Sequence, residues 1–474
     1  MRKHRPFSLR RRSVLKAMAA TLPIAAFPRL ARSTSHQFTE ALPIPAELAP
    51  TLSDATTDYF EVHQIESLAN IIPNLQTRVL TYNGLFPGPT IRVQRGRVAQ
   101  VRQHNRLSEP VSTHLHGGHI EAASDGHAAD LIAPAQFKDY NYINSQRGST
   151  LWYHDHAMDE TAEHVYRGLA GFYIIEDPDE VSLNLPIGAQ EVCLVIQDRS
   201  FNADGSFAYS GDVMGEEGDT IVVNGKAQPF FAVANRKYRF RVLNGSNSRN
   251  YRLALSDGSS FIQIGTDGGL LEAPQILSDM FMAPAYRSDV VIDFSSYNIG
   301  DSVILQNTLG SGTTAEIMRF DITRDETDSS TIPEELSTIT PIPTTGAVNR
   351  TFTFQRARQG GPFTINNLAY DPNRIDASPT LGDTEIWTLT NEMNMDHPIH
   401  IHDIMCQVLE IEGAAPSATH YPELIGWKDT FNLPPLATAK VIGQFTDFTG
   451  IYMMHCHNLE HEDYAMMMNF EVVP

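Results

Sequence analysis

Cys456 stands between two histidines, His455 and His457, with His461 and Met466 following in the same stretch. A thiolate, imidazoles and a weak thioether are the donor set of a blue, electron-transferring copper. Cys456 and His461 are read as two of its ligands and Met466 as the axial donor. The flanking histidines then need another task. In an extended chain successive side chains point to opposite faces. His455 and His457 should therefore turn away from a metal at Cys456, towards a second metal site one backbone step behind it. Two short covalent paths would join the two centres.

The His455/His457 pair is the last of four. His114-Leu115-His116, His154-Asp155-His156 and His400-Ile401-His402 repeat the spacing. Residues two apart on a strand share a face at roughly 7 Å, so both imidazoles of a pair can reach one metal cluster. One such pair arises by chance, but four supply eight imidazoles, about what three coppers with positions left open for oxygen require. His397, Cys456, His461 and Met466 remain as one complete blue-copper set. The other histidines (His4, His36, His63, His104, His119, His127, His164 and His420) fall outside the pattern. Surface or hydrogen-bonding roles are expected for them.

Short apolar runs punctuated by glycine and proline must carry these residues. Arg78-Val79-Leu80-Thr81-Tyr82 with its Asn83-Gly84 turn, Glu191 to Asp198, Lys237 to Asn244 and Gly382 to Leu389 all read as strands. This is the texture of an all-β chain of sandwiches or barrels, and the chain's length suggests about three domains. The expected division is a signal at 1–32, a Pro- and Thr-rich linker at 33–55, a first domain at 56–178 closed by a strand from Tyr166 towards Asp177, a second at 179–325, an acidic linker at 326–347 and a third at 348–474. The second domain holds no histidine and reads as a structural spacer. Cys193 and Cys406 lie in apolar runs, where buried inert thiols are expected. Three cysteines make no disulfide framework.

The net charge is −21, and the first 32 residues hold nine Lys and Arg and no acid. So acidic a surface argues against nucleic acid and anionic membranes as partners. Arg10-Arg11-Arg12-Ser13-Val14-Leu15-Lys16, followed by a short run to Ala26, resembles a signal read by the twin-arginine export machinery. The run is too short to span a bilayer. Export in the folded state, to the periplasm or beyond, is the expectation, with no membrane insertion.

The four HxH pairs, in this order and spread over the first and last domains, resemble those of the multicopper oxidases. Stretches such as Trp152-Tyr153-His154-Asp155-His156-Ala157-Met158 and His455 to Asp463 are most similar to the branch of bilirubin oxidases and bacterial spore-coat laccases. The resemblance implies three cupredoxin-like Greek-key β-sandwiches and four copper ions. By it, His114 and His400 would hold the type 2 copper. His116, His154, His156, His402, His455 and His457 would hold the type 3 pair, and His397, Cys456, His461 and Met466 the type 1. It also implies one-electron oxidation of a small-molecule reductant (a phenol, aromatic amine or bilin) coupled to four-electron reduction of dioxygen to water. Asp125 and Glu462 match the family's acidic positions near the cluster and are expected to carry protons. Met395 stands where bilirubin oxidases have tryptophan, and Asp403 where many laccases have glycine. Two alternatives remain: a periplasmic cuprous oxidase, suggested by Met393, Met395 and Met466-Met467-Met468, and a non-enzymatic structural or division protein.

Overall fold

The computed structural model describes residues 37–357, 361–413 and 424–474. The stretch expected to be an export signal lies outside them. Three β-sandwiches follow one another along the chain. In each, the first long strand pairs in parallel with a later one: Thr57–Ala69 with Val98–Asn105, Glu191–Arg199 with Lys237–Asn244, and Val348–Arg356 with Thr384–Asn391. A parallel pair requires a crossover to the opposite sheet, and its recurrence makes the three units versions of one cupredoxin-like plan. Val98–Asn105 and Thr384–Asn391 bury every second side chain, as sheets with one wet face do.

The inner sheets differ. Ser149–Asp155 and His397–Ile401 are buried on both faces. One face lines the domain's own core, holding Leu115, Leu151 and Tyr153 in the first domain and Ile399, Ile401, Met454 and Cys456 in the third. The alternate residues, which include the paired histidines, point out of those cores.

Antiparallel register then gathers the pairs. Thr113–His116 lies beside Ser149–Asp155 with His114 opposite His154. His397–Ile401 lies beside Gly450–Cys456 with His400 opposite His455 and Ile399 opposite Cys456. Facing residues in such ladders are about 5 Å apart, so histidines distant in sequence become neighbours.

The segments expected as linkers are laid against the sandwiches. Phe38 and Leu42 donate their amides to the carbonyls of Gln228 and Phe230, Leu48 donates to Thr90, and the Leu42 side chain enters the second-domain core. Farther on, Leu336 donates to Glu272 and is buried. The closing strand of the first domain starts later than expected, at Ala170. Tyr166 and Arg167 end a short helix, Thr161–Arg167, which stops at Gly168. That turn of helix meets another, Leu459–Asp463, whose Asp463 accepts the amides of Thr161 and Ala162.

Candidate metal centre

Gly450–Cys456 ends at the residue on which both centres turn. Its alternation sends Cys456 inward to the third-domain core and His455 outward. The chain then passes through His457 into the helix Leu459–Asp463, which brings His461 back to Cys456. Cys456 Sγ lies 3.4 Å from His397 Nδ1 and 3.7 Å from His461 Nδ1, and the two nitrogens are 3.2 Å apart. A point roughly 2 Å from all three atoms lies inside this triangle, the length of a metal–imidazole bond. Met466 is buried in the same apolar cluster, its carbonyl accepting the Cys456 amide at 3.0 Å. The Asn458 amide donates to the sulfur at 3.4 Å, and the Phe363 ring lies 4.0 Å from that of His461.

On the far side, the eight paired histidines converge between the first and third domains. His114 and His400 face each other, Nε2 to Nε2, at 3.3 Å. Each is aimed by its other nitrogen: Nδ1–H of His114 donates to the Asp125 carbonyl at 2.6 Å, and that of His400 to the Asp429 carbonyl at 2.9 Å. In a second group, the Nε2 of His455 lies 3.3 Å from that of His156 and 3.2 Å from that of His402. The third group is His116, His154 and His457, with ring centroids 4.9–5.7 Å apart. His154 donates Nδ1–H to the Asp155 carbonyl at 2.8 Å, leaving Nε2 bare. His116 is reversed: its Nε2 is held by Asp429 Oδ1 at 3.1 Å and Thr430 Oγ1 at 3.0 Å, and its Nδ1 has no partner among the described residues.

Six of these rings are held neutral. Burial holds His114, His116, His400, His402 and His457 well below the usual imidazole range and His154 at about 3. A neutral imidazole that donates one N–H presents only a lone pair at the other nitrogen. Lone pairs facing each other at hydrogen-bond distance, away from water, repel unless a cation lies between them. The Cys456 thiol makes the same demand, because burial raises its pKa and only a bound cation keeps it a thiolate. The donor chemistry is that of copper: imidazoles alone on one side, imidazoles with a soft sulfur on the other.

The two acids expected at the cluster lie at its edges. Asp125 Oδ2 accepts from His402 Nδ1 at 2.7 Å, and burial raises its pKa. Glu462 places Oε2 3.1 Å from His455 Nδ1 and Oε1 3.3 Å from His156 Nδ1. Burial would raise the Glu462 pKa, but the imidazoles of His156 and His455 outweigh it and hold the carboxyl well below its ordinary range.

Sequence reasoning missed Asp429, Thr430 and Trp152 as parts of this site. Trp152 stacks on His154 at 4.2 Å. The available signal was Lys428-Asp429, a charged pair at the start of a buried strand, Thr430–Leu433. Cys193 and Cys406 are free and buried as expected, with the Cys193 thiol pushed up to about 12.

Three cupredoxin-like sandwiches, with a thiolate–imidazole site in the last and an imidazole cluster between first and last, define a copper oxidase. The family profile described as multicopper oxidase matches residues 66–180 and 341–474. A laccase of Bacillus subtilis is 37% identical over 93% of this chain and 99% of its own length. A bilirubin oxidase of Albifimbria verrucaria is 38% identical over 94% of this chain and 83% of its own. The crystal structure of the multicopper oxidase McoA from Aquifex aeolicus superposes with a TM-score of 0.84 at 32% identity, covering 92% of this chain and all of that one. The chain belongs to the multicopper oxidases, oxygen-dependent oxidoreductases that use one type 1, one type 2 and two type 3 coppers.

Proposed function

We propose that the chain is a laccase-like oxidase that couples one-electron oxidation of a phenol, aromatic amine or bilin to four-electron reduction of dioxygen to water. The observation that carries this reading is the junction at Cys456, where one thiol belongs to one donor cluster and both neighbouring histidines to the other. Type 1 copper would be held by His397, Cys456, His461 and Met466, and type 2 by His114 and His400. The type 3 pair would divide His156, His402 and His455, whose Nε2 atoms converge, from His116, His154 and His457, whose rings lie together. Copper held by these residues would supply the redox chemistry that joins one-electron donors to four-electron reduction of dioxygen.

The chain's own residues do the rest. His461, buried beside Phe363, would tie the helix Leu459–Asp463 to the thiolate site. The peptide bonds from Cys456 to His455 and His457 form the shortest connection between the clusters. Asp125 and Glu462, each against the outer nitrogens of cluster histidines, would pass protons on towards the place where water forms. Steady-state oxygen uptake with a phenol, a bilin and Cu(I) compared side by side tests the reading, and turnover of Cu(I) alone would overturn it. Met393 and Met395 pack against the third-domain core, and Met466, Met467 and Met468 are buried. Met466, Met467 and Met468 are thus turned inward, away from any substrate, while Met393 and Met395 stay partly exposed.

Export to the periplasm or beyond rests on the twin-arginine pattern. Among the described residues no helix is long and apolar enough to cross a membrane. Replacing Arg11 and Arg12 with lysine keeps the charge but removes the feature the receptor reads. Normal export of that double variant would exclude this route.

A further inference from the structure

The reversed ring of His116 has its cause in the domain that carries no histidine. Arg287 opens the second-domain strand Arg287–Asp293 and is fully buried. Its Nε donates to the Thr150 carbonyl of the first domain at 3.0 Å. Its Nη1 donates to Asp429 Oδ1 of the third at 2.9 Å, and its Nη2 pairs with Asp429 Oδ2. Asp429 Oδ1 is also the acceptor for His116 Nε2, and the Asp429 carbonyl the acceptor for His400 Nδ1. One residue therefore aims an imidazole from each domain that builds the cluster.

A second pair completes the group: Asp267 accepts the Arg287 amide at 2.9 Å and lies 2.8 Å from Lys428 Nζ. Two cations and two carboxylates, all buried, balance in charge. Such pairs return in attraction about what their desolvation costs, so stability alone does not account for them. Gly117, directly after His116, gives independent support. Its φ is +85°, and a Cβ there would lie 2.6 Å from Asp429 Oδ2 and 2.7 Å from Arg287 Nη2. The backbone beyond the histidine pair is kept bare to admit this ion pair.

We propose that Arg287 and Asp429 are a positioning pair by which the second domain fixes the tautomer and orientation of His116, and through it the retention of the trinuclear copper. The proposal rests on the ligand assignment given above. The guanidinium is always charged and its planar fork fixes the plane of the carboxylate. That carboxylate, accepting from the outer nitrogen of His116, leaves Nδ1 as the only free donor. Losing such an outer partner typically costs 10–100-fold in metal affinity.

The test uses the copper-loaded full chain and reads the rate at which copper is lost to a chelator, alongside the type 1 colour. Arg287→Lys keeps the charge but gives up the fork. Asp429→Asn keeps an acceptor for His116 but gives up the ion pair. Both should shed trinuclear copper about 10-fold faster or more while the blue colour persists. Phe240→Leu, in the second-domain core, should destabilise the chain yet release copper at the wild-type rate. Wild-type release rates in both pair variants would overturn the proposal, as would equally fast release from Phe240→Leu or parallel loss of the type 1 colour. The wild-type chain offers a check that needs no variant: a copper-bound crystal structure in which His116 ligates through Nε2, away from Asp429, would overturn it too. A wild-type chain that binds a single copper would instead sink the ligand assignment.

Discussion

The Cys456 thiol is fully buried, and among the described residues its close polar neighbours are two imidazole nitrogens and one amide. A serine there keeps the shape but offers a harder, far less acidic donor. Cys456→Ser should lose the blue colour and turnover while keeping most of the trinuclear copper, read by absorbance and metal analysis. A variant that stays blue would remove Cys456 from the type 1 site. The acids call for a different experiment, because amides keep the size and hydrogen bonding of Asp125 and Glu462 but carry no ionisable proton. Asp125→Asn and Glu462→Gln should be reduced by substrate at a near-normal rate and reoxidised by dioxygen about 10²-fold more slowly, a split that stopped-flow mixing resolves. Reoxidation at the wild-type rate with full copper would exclude both as proton carriers. At this scale the sequence was most legible, because a metal site needs particular atoms and the HxH spacing delivers them on any strand. Asp429 was not legible, since an aspartate that anchors a histidine looks in sequence like any other aspartate.

Strands place these atoms, and alternation alone predicts that His455 and Cys456 part company. Register is what alternation leaves open. Nothing local says that His114 lies opposite His154 rather than one residue along, because that choice is made by Leu115, Leu151 and Tyr153 packing in one core. The short helix Thr161–Arg167 was hidden for a related reason: its capping acceptor, Asp463, lies in another domain. A comparable cross-domain contact gives a pH-dependent prediction. His119, in the loop after the first histidine pair, places Nδ1 3.0 Å from Asp403 and Nε2 3.0 Å from Asp447, both of the third domain. Burial alone would lower its pKa, but the two carboxylates raise it to about 9. A pKa raised on folding stabilises the folded state fully below the unfolded value near 6.5, and that stabilisation is lost as pH rises through 9. His119→Gln should therefore cost roughly 2 kcal/mol at pH 7 and almost nothing by pH 10, measured as Tm against the parent at each pH. An equal loss at both pH values would mean that the ion pairs contribute nothing.

In the whole molecule the trinuclear site is a joint. His114, His116, His154 and His156 come from one sandwich and His400, His402, His455 and His457 from another, and without metal their bare nitrogens repel across the seam. Copper bound there is folding free energy for the pair of domains, since the unfolded chain cannot assemble the ligands. A ligand at 1,000 times its dissociation constant adds about 4 kcal/mol. The second sandwich holds no histidine, so its own core of Val242, Phe240 and Phe320 should feel little of this. Removing copper by chelation should lower the Tm by several degrees. Faster hydrogen exchange should follow in Thr113–His116 and His397–Ile401, while Phe261–Thr266 of the second domain keeps its protection. Exchange that rises equally in all three strands would mean that copper stabilises the molecule globally rather than at the seam. An unchanged Tm would mean that the eight imidazoles do not hold metal between the domains. Both outcomes are separable from loss of the type 1 copper alone, because His397, Cys456 and His461 lie within one sandwich and bridge no seam.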